Sequence, residues 1–88
     1  MHHPRHPEII ARLKRAEGHL RTTIAMVERE KDCLAIAQQL QAVENAVANA
    51  RKLLVQEHID HCLEVATDHL PSRARQALRE FKSISRYL

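Results

Sequence analysis

Eighty-eight residues, 44% of them hydrophobic, suffice for one small domain and no second core, since a compact core takes on the order of 100 residues. Phe81 and Tyr87 are the only aromatic residues, and one glycine and three prolines are too few turn residues for a sandwich or barrel of many short strands, which leaves long helices. Fourteen Lys and Arg against eleven Asp and Glu, a net +3 with neutral His, permit an acidic partner, and no apolar run approaches the ~20 residues of a membrane span.

The opening Met1-His2-His3-Pro4-Arg5-His6-Pro7 has no apolar stretch of the signal-peptide type, so a cytoplasmic chain with no membrane partner is expected. Residues 1–6 read as a flexible tail that carries His2, His3 and His6. The first helix is expected to start near Pro7, whose fixed φ suits a first turn, and to fray in the charged run from Glu28 to Asp32. Within it Ile9, Leu13, Ala16, Leu20, Ile24 and Val27 recur every three or four residues as one apolar stripe. Gly18 lies inside this helix and marks either a close backbone approach or a locally weak stretch.

The second segment predicts one continuous helix from Asp32 or Cys33 to about Ala66, with Asp32 able to cap it. Ile36, Leu40, Val43, Val47, Ala50 and Leu54 alternate steps of four and three, the pattern of a helix-pairing seam. Such a helix would be roughly 50 Å long, too long for the flanking segments to cover, so it calls for a partner chain. The small residues Ala42, Ala46, Ala48 and Ala50 would let a second helix come close.

Pro71 and the polar stretch from Thr67 to Ser72 end this helix, and Ser72 is placed to cap the next. A third helix is expected from about Arg73 to the end, with Ala74, Leu78, Phe81, Ile84 and Leu88 on its inner face. The fold expected is all-α: a three-helix protomer with a long central helix, pairing with a second copy antiparallel.

The seam, continued outward in heptad steps, reaches Cys33 at one end and His58, His61 and Cys62 at the other. Cys33 and His58 would be about 37 Å apart on one straight helix, so they cannot share a metal within a chain. Across two antiparallel chains Cys33 of one meets His58 and Cys62 of the other, and two-fold symmetry makes a second identical site. In His58-x-x-x-Cys62 one helical turn puts imidazole and thiolate on one face, as a chelate requires. Two thiolates and one imidazole suit Cu(I). A further histidine, His2, His3 or His6, would give the N/S set favoured by Ni(II), Co(II) or Zn(II). Cys33 and His58 could also make a nucleophilic pair, but no Gly-rich loop is present to hold an oxyanion, which argues against an enzyme.

The remaining signal is basic. Arg5, Arg12, Arg15 and His19 lie down one flank of the first helix, Lys14 and Arg21 down the other. Repeated in an oligomer, they would form a phosphate-binding surface without a helix-turn-helix.

The runs Arg12-Leu13-Lys14-Arg15-Ala16-Glu17-Gly18-His19-Leu20, Asp32-Cys33, Gln38-Gln39-Leu40-Gln41-Ala42-Val43 and His58-Ile59-Asp60-His61-Cys62 resemble the metal-sensing transcriptional repressors of the CsoR/RcnR family over nearly the whole chain. The opening His6-Pro7-Glu8-Ile9-Ile10, the Ala35 to Gln39 stretch and Asp60-His61-Cys62 look most like its nickel-resistance-associated NreA-type branch. The resemblance implies a homotetramer built as a dimer of dimers, which holds operator DNA when metal-free and releases it on binding metal. It puts the family's ligand positions on Cys33, His58 and Cys62, with an N-terminal histidine ligand near His2 or His3, and basic DNA contacts on Arg12 and Arg15. Asp32 stands where some copper sensors of the family carry tyrosine, and Cys62 where the nickel and cobalt sensors carry histidine. The expected function is a repressor released by Ni(II) or Co(II), with Cu(I) as the alternative effector. A metal-buffering helical protein without DNA binding, or a structural oligomer with core cysteines, are the other classes.

Overall fold

The computed structural model describes residues 5–87; residues 1–4, which include His2 and His3, and Leu88 lie outside the described residues. The described residues form three helices and no strand: α1 His6–Glu28, α2 Cys33–Thr67 and α3 Ser72–Ser85. This is the expected all-α class. His6, assigned from the sequence to the tail, is the first residue of α1, with Arg5 as its N-cap and Pro7 in its first turn. None of these helices is long and apolar enough to cross a membrane.

The α1–α2 turn is built from backbone. Lys31 N–H donates to the Met26 carbonyl and Glu30 N–H to that of Val27, each at 3.0 Å, which satisfies the last carbonyls of α1 in a Schellman arrangement. Glu30 takes the left-handed conformation this needs, with φ of 53°. Asp32 then caps α2: its Oδ2 accepts from the Ala35 N–H at 3.2 Å, satisfying one of the four orphan donors at a helix start.

The chain folds as two units, the first reaching to Leu53 and the second beginning at Leu54; α2 runs through both. In the first unit α1 buries Ile9, Ala16 and Thr23, with Arg12, His19 and Met26 half-buried between them. The matching positions of α2 are Ile36, Gln39, Val43, Ala46, Ala50 and Leu53, so both helices show the same alternation of three and four.

That inward face differs from the expected one. Leu13, Leu20, Ile24 and Val27 are 41–54% exposed, and on α2 the seam divides. Val43 (8% exposed) and Ala50 (2%) face inward, whereas Leu40 and Val47 are each 47% exposed. The reason is width: an apolar stripe broad enough for two contacts presents only one edge to a single partner helix. Ala46 and Ala50 are already taken up by this packing. Gly18 has open space where a Cβ would stand, so it serves no close approach within the chain.

In the second unit Ala74, Leu78, Lys82 and Ser85 are the covered positions of α3. Ser85 Oγ donates to the Lys82 carbonyl at 2.7 Å and accepts from Gln56 Nε2 at 3.2 Å; Gln56 also donates to Asp60 Oδ1 at 2.8 Å. This polar contact turns the Lys82–Ser85 edge inward, which corrects the expected inner face. Phe81 and Ile84 are 52% and 66% exposed, and Leu88 lies outside the described residues. Ser72 is likewise not the cap but the first helical residue, behind an N-cap Pro71 that makes no side-chain bond.

Candidate functional site

Cys33 is the first residue of α2, directly after the capping Asp32, and is exposed. The cap fixes the backbone of that first turn and so the direction in which the thiol leaves the helix. His58 and Cys62 lie in the second unit, both exposed. The helix sets their spacing: one turn apart, the Nε2 of His58 is 3.5 Å from the Sγ of Cys62.

This separation fits a shared metal ion. With metal–sulfur and metal–nitrogen bonds of about 2.3 and 2.0–2.1 Å, donors 3.5 Å apart subtend an angle of about 110° at the ion. The pair is therefore positioned to chelate without a change of helix geometry. Among the described residues no group of three or more ligating side chains comes together. Cys33 does not join His58 and Cys62 within the chain; it stands in the first unit. His61 is half-buried, three residues from His58 and away from the exposed edge that carries the pair. His2 and His3 lie outside the described residues.

The basic residues divide too. Arg12, Arg15 and His19 of α1 and Ala46 and Asn49 of α2 line, with Ala16, a notch of about 270 Å³ within the first unit. Arg12 is also paired with Glu8 at 3.2 Å. Arg21 pairs instead with Glu17 at 3.0 Å, Lys14 is exposed, and Arg5 sits at the N-cap of α1; none of these three lines the notch. The structure adds two residues that the sequence did not single out. Gln39 accepts from His19 Nε2 across the two helices, and Asn49 lines the notch. Gln39 had a signal, a polar residue at an inward position of the three-four alternation. Asn49 emerges only once the hairpin register is known.

A family profile described as metal-sensitive transcriptional repressor matches residues 5–86. The copper-sensing transcriptional repressor CsoR of Mycobacterium ulcerans is 33% identical over 69 residues, covering 78% of this chain and 57% of that protein. The copper-sensing transcriptional repressor RicR of Mycobacterium tuberculosis is 36% identical over 52 residues, 59% of this chain and 54% of that protein. CsoR of Bacillus subtilis, likewise named copper-sensing, is 39% identical over 56 residues, 64% of this chain and 55% of that protein. The chain thus spans about half the length of the curated relatives it matches. No solved structure matches it significantly.

Proposed function

This chain belongs to the family of metal-sensitive transcriptional repressors, regulators rather than enzymes, and on that premise we propose that it binds operator DNA when metal-free and releases it on binding Cu(I). Residues 1–88 act as one metal-sensing, DNA-binding domain in this reading. The observation that carries it is the His58–Cys62 pair, whose 3.5 Å separation suits chelation while leaving the donor set one ligand short. Cys33 of an antiparallel second copy completes the set. Two thiolates and an imidazole are soft donors that suit Cu(I), and the relatives named above as copper-sensing support copper over the nickel or cobalt expected from the N-terminal histidines.

Cu(I), when bound, supplies soft-donor coordination that ties two protomers together. Everything else is the work of this chain. His58 and Cys62 present their donors from consecutive turns of α2; Asp32 holds the turn from which Cys33 reaches its partner. Leu13, Leu20, Ile24 and Val27 of α1 and Leu40, Val47 and Leu54 of α2, all exposed, supply the apolar surface for an antiparallel dimer and for its assembly into a tetramer. Arg12 and Arg15 supply phosphate contacts, with Lys14, Arg21 and Arg5 as outlying charges. Metal and operator then bias two states of the assembly in opposite directions, so each weakens the other by the same factor, typically about 5- to 150-fold.

Nickel or cobalt sensing, within the nickel-resistance-associated branch, is the second reading, favoured by the sequence observation of His2 and His3 close before α1 and of His6 at its first position. Anaerobic titration against a chromophoric Cu(I) chelator, with operator release followed by fluorescence anisotropy, separates the two. One Cu(I) per protomer, with release by Cu(I) and none by Ni(II), is expected. A thiolate-to-Ni(II) charge-transfer band with release by Ni(II) or Co(II) alone would replace copper by the second reading, and metal binding with no DNA affinity would leave a metal buffer.

A further inference from the structure

The notch between α1 and α2 carries more than the two arginines that the operator-binding reading uses. Its volume of about 270 Å³ is that of about nine waters, room for a tetrahedral oxyanion with part of its hydration. Of its six lining residues two are arginines, one is a histidine, one is an asparagine and two are alanines. None is acidic. Ala16, 5% exposed, and Ala46 are too small to fill the space, and three of the four polar side chains around them, Arg12, Arg15 and Asn49, have donors to offer an anion.

His19 of α1 reaches across to Gln39 of α2. Its Nε2 meets the Oε1 of Gln39, and an amide oxygen only accepts, so the imidazole donates from Nε2. Nδ1 is left as the ring nitrogen available to a ligand. In neutral imidazole Nδ1 is a lone pair and faces an oxyanion unfavourably; in imidazolium it is a donor, and its bond to an anion is charge-assisted. The titratable and charged groups around the ring are Arg12 and Arg15 on α1, while α2 contributes the neutral Gln39 and Asn49. Arg12 also holds the Glu8 carboxylate at 3.2 Å; Arg15 and an imidazolium at His19 are then two positive charges with no acidic residue in the lining, and an anion between them is attracted by both.

We infer that this notch is a phosphate-class oxyanion site in which Arg12, Arg15, Asn49 and His19 converge on one anion, and that its occupation takes up a proton on His19 Nδ1. The anion is a phosphodiester of DNA or a free tetrahedral oxyanion, and the inference rests on the operator-binding reading only for the first. Sites whose ligand is accompanied by a proton bind more tightly as pH falls through the range in which histidine charges. DNA affinity and anion affinity therefore both rise on acidification, and both depend on His19.

Sulfate is the probe, because its charge is constant between pH 6 and pH 8. The full chain is titrated with sulfate at fixed ionic strength at both pH values, by calorimetry in two buffers of different ionisation enthalpy and by amide chemical shifts. Sulfate affinity is expected to be about tenfold higher at pH 6, the scale of one hydrogen bond to a charged group, with net proton uptake and shifts at Arg12, Arg15 and Asn49. His19→Gln should retain weak binding and lose the pH dependence, which separates His19 from the other six histidines. Asn49→Asp, an exposed position, should weaken sulfate at both pH values with helix content unchanged, so the inference stays testable if His19→Gln misfolds. The same variants are carried through a DNA anisotropy titration. Full pH dependence in folded His19→Gln, or no sulfate-dependent shift in the notch at either pH, would overturn the inference while leaving operator binding intact. Sulfate binding with proton uptake in a chain that binds no DNA would keep the site and make its ligand the free anion.

Discussion

The imidazole Nε2 of His58 and the sulfur of Cys62 lie 3.5 Å apart on consecutive turns of α2, a spacing that the helical repeat sets. Both side chains are exposed, so removing either costs little packing, within about 0.5 kcal/mol. His58→Ala and Cys62→Ala should therefore melt within about 3 °C of the unaltered protein. Their Cu(I) affinity should fall by more than about 100-fold, beyond the usual cost of losing an outer-shell partner alone. Chelator competition beside thermal melts checks both halves of the statement.

The turn before Cys33 gives two substitutions of opposite sign. Asp32→Ala removes the cap on the Ala35 N–H and should cost about 1 kcal/mol, or about 4–8 °C in melting temperature for a domain of this size. Because Cys33 sits in the turn that then frays, metal affinity should fall as well. Glu30→Gly relieves a left-handed φ of 53° and should raise stability by about 0.5–1 kcal/mol without changing metal affinity. Circular-dichroism melts paired with metal titration measure both.

Much of this is legible in the sequence, and the part that is not has a common cause. Pro71, Asp32 and the three-four spacing of apolar residues define three helices, because these signals act through local backbone chemistry. Which edge of each stripe turns inward is not local. Leu13 and Ile9 read alike in α1, as do Val43 and Val47 in α2, and the rotation of each helix against its neighbour shows only in the packed hairpins, in the burial of Ile9, Ala16, Val43 and Ala50 and the pairing of His19 with Gln39 and of Gln56 with Ser85. The proposed metal ligands Cys33, His58 and Cys62 stand out in the sequence as residue types at seam positions. The notch is legible in Arg12 and Arg15 and hidden in Asn49, which a register rather than a motif brings there.

The division of the α2 seam predicts different fates for neighbouring substitutions. Val47→Glu places a charge on an exposed position and should dissociate the proposed assembly into helical monomers. Val43→Glu buries a charge against α1 with no partner and should cost several kcal/mol, unfolding the hairpin. Sedimentation velocity with far-ultraviolet circular dichroism distinguishes the two; an unchanged oligomer for Val47→Glu would place the interface elsewhere.

Arg12, although paired with Glu8, and Arg15 line the notch, whereas Arg21, paired with Glu17, does not. Replacing Arg12 or Arg15 by Ala should weaken binding to all DNA sequences alike. It should also lower the slope of log affinity against log salt by about 0.9 for every phosphate that the altered protomers no longer neutralise. Arg21→Ala should leave the slope nearly unchanged. Anisotropy titrations across a salt series provide the test.

In the proposed repressor, Cys33 of one protomer and the His58–Cys62 pair of another hold the same ion, and purified mixed dimers of Cys33→Ala and His58→Ala chains put that sharing to the proof. Each such dimer has one intact site, formed by Cys33 of the second chain with His58 and Cys62 of the first, and one site lacking both. Tight Cu(I) binding at one equivalent per mixed dimer, with none in either homomeric variant, is the predicted result. No recovery on mixing, or unchanged stoichiometric binding by either variant alone, would contradict it.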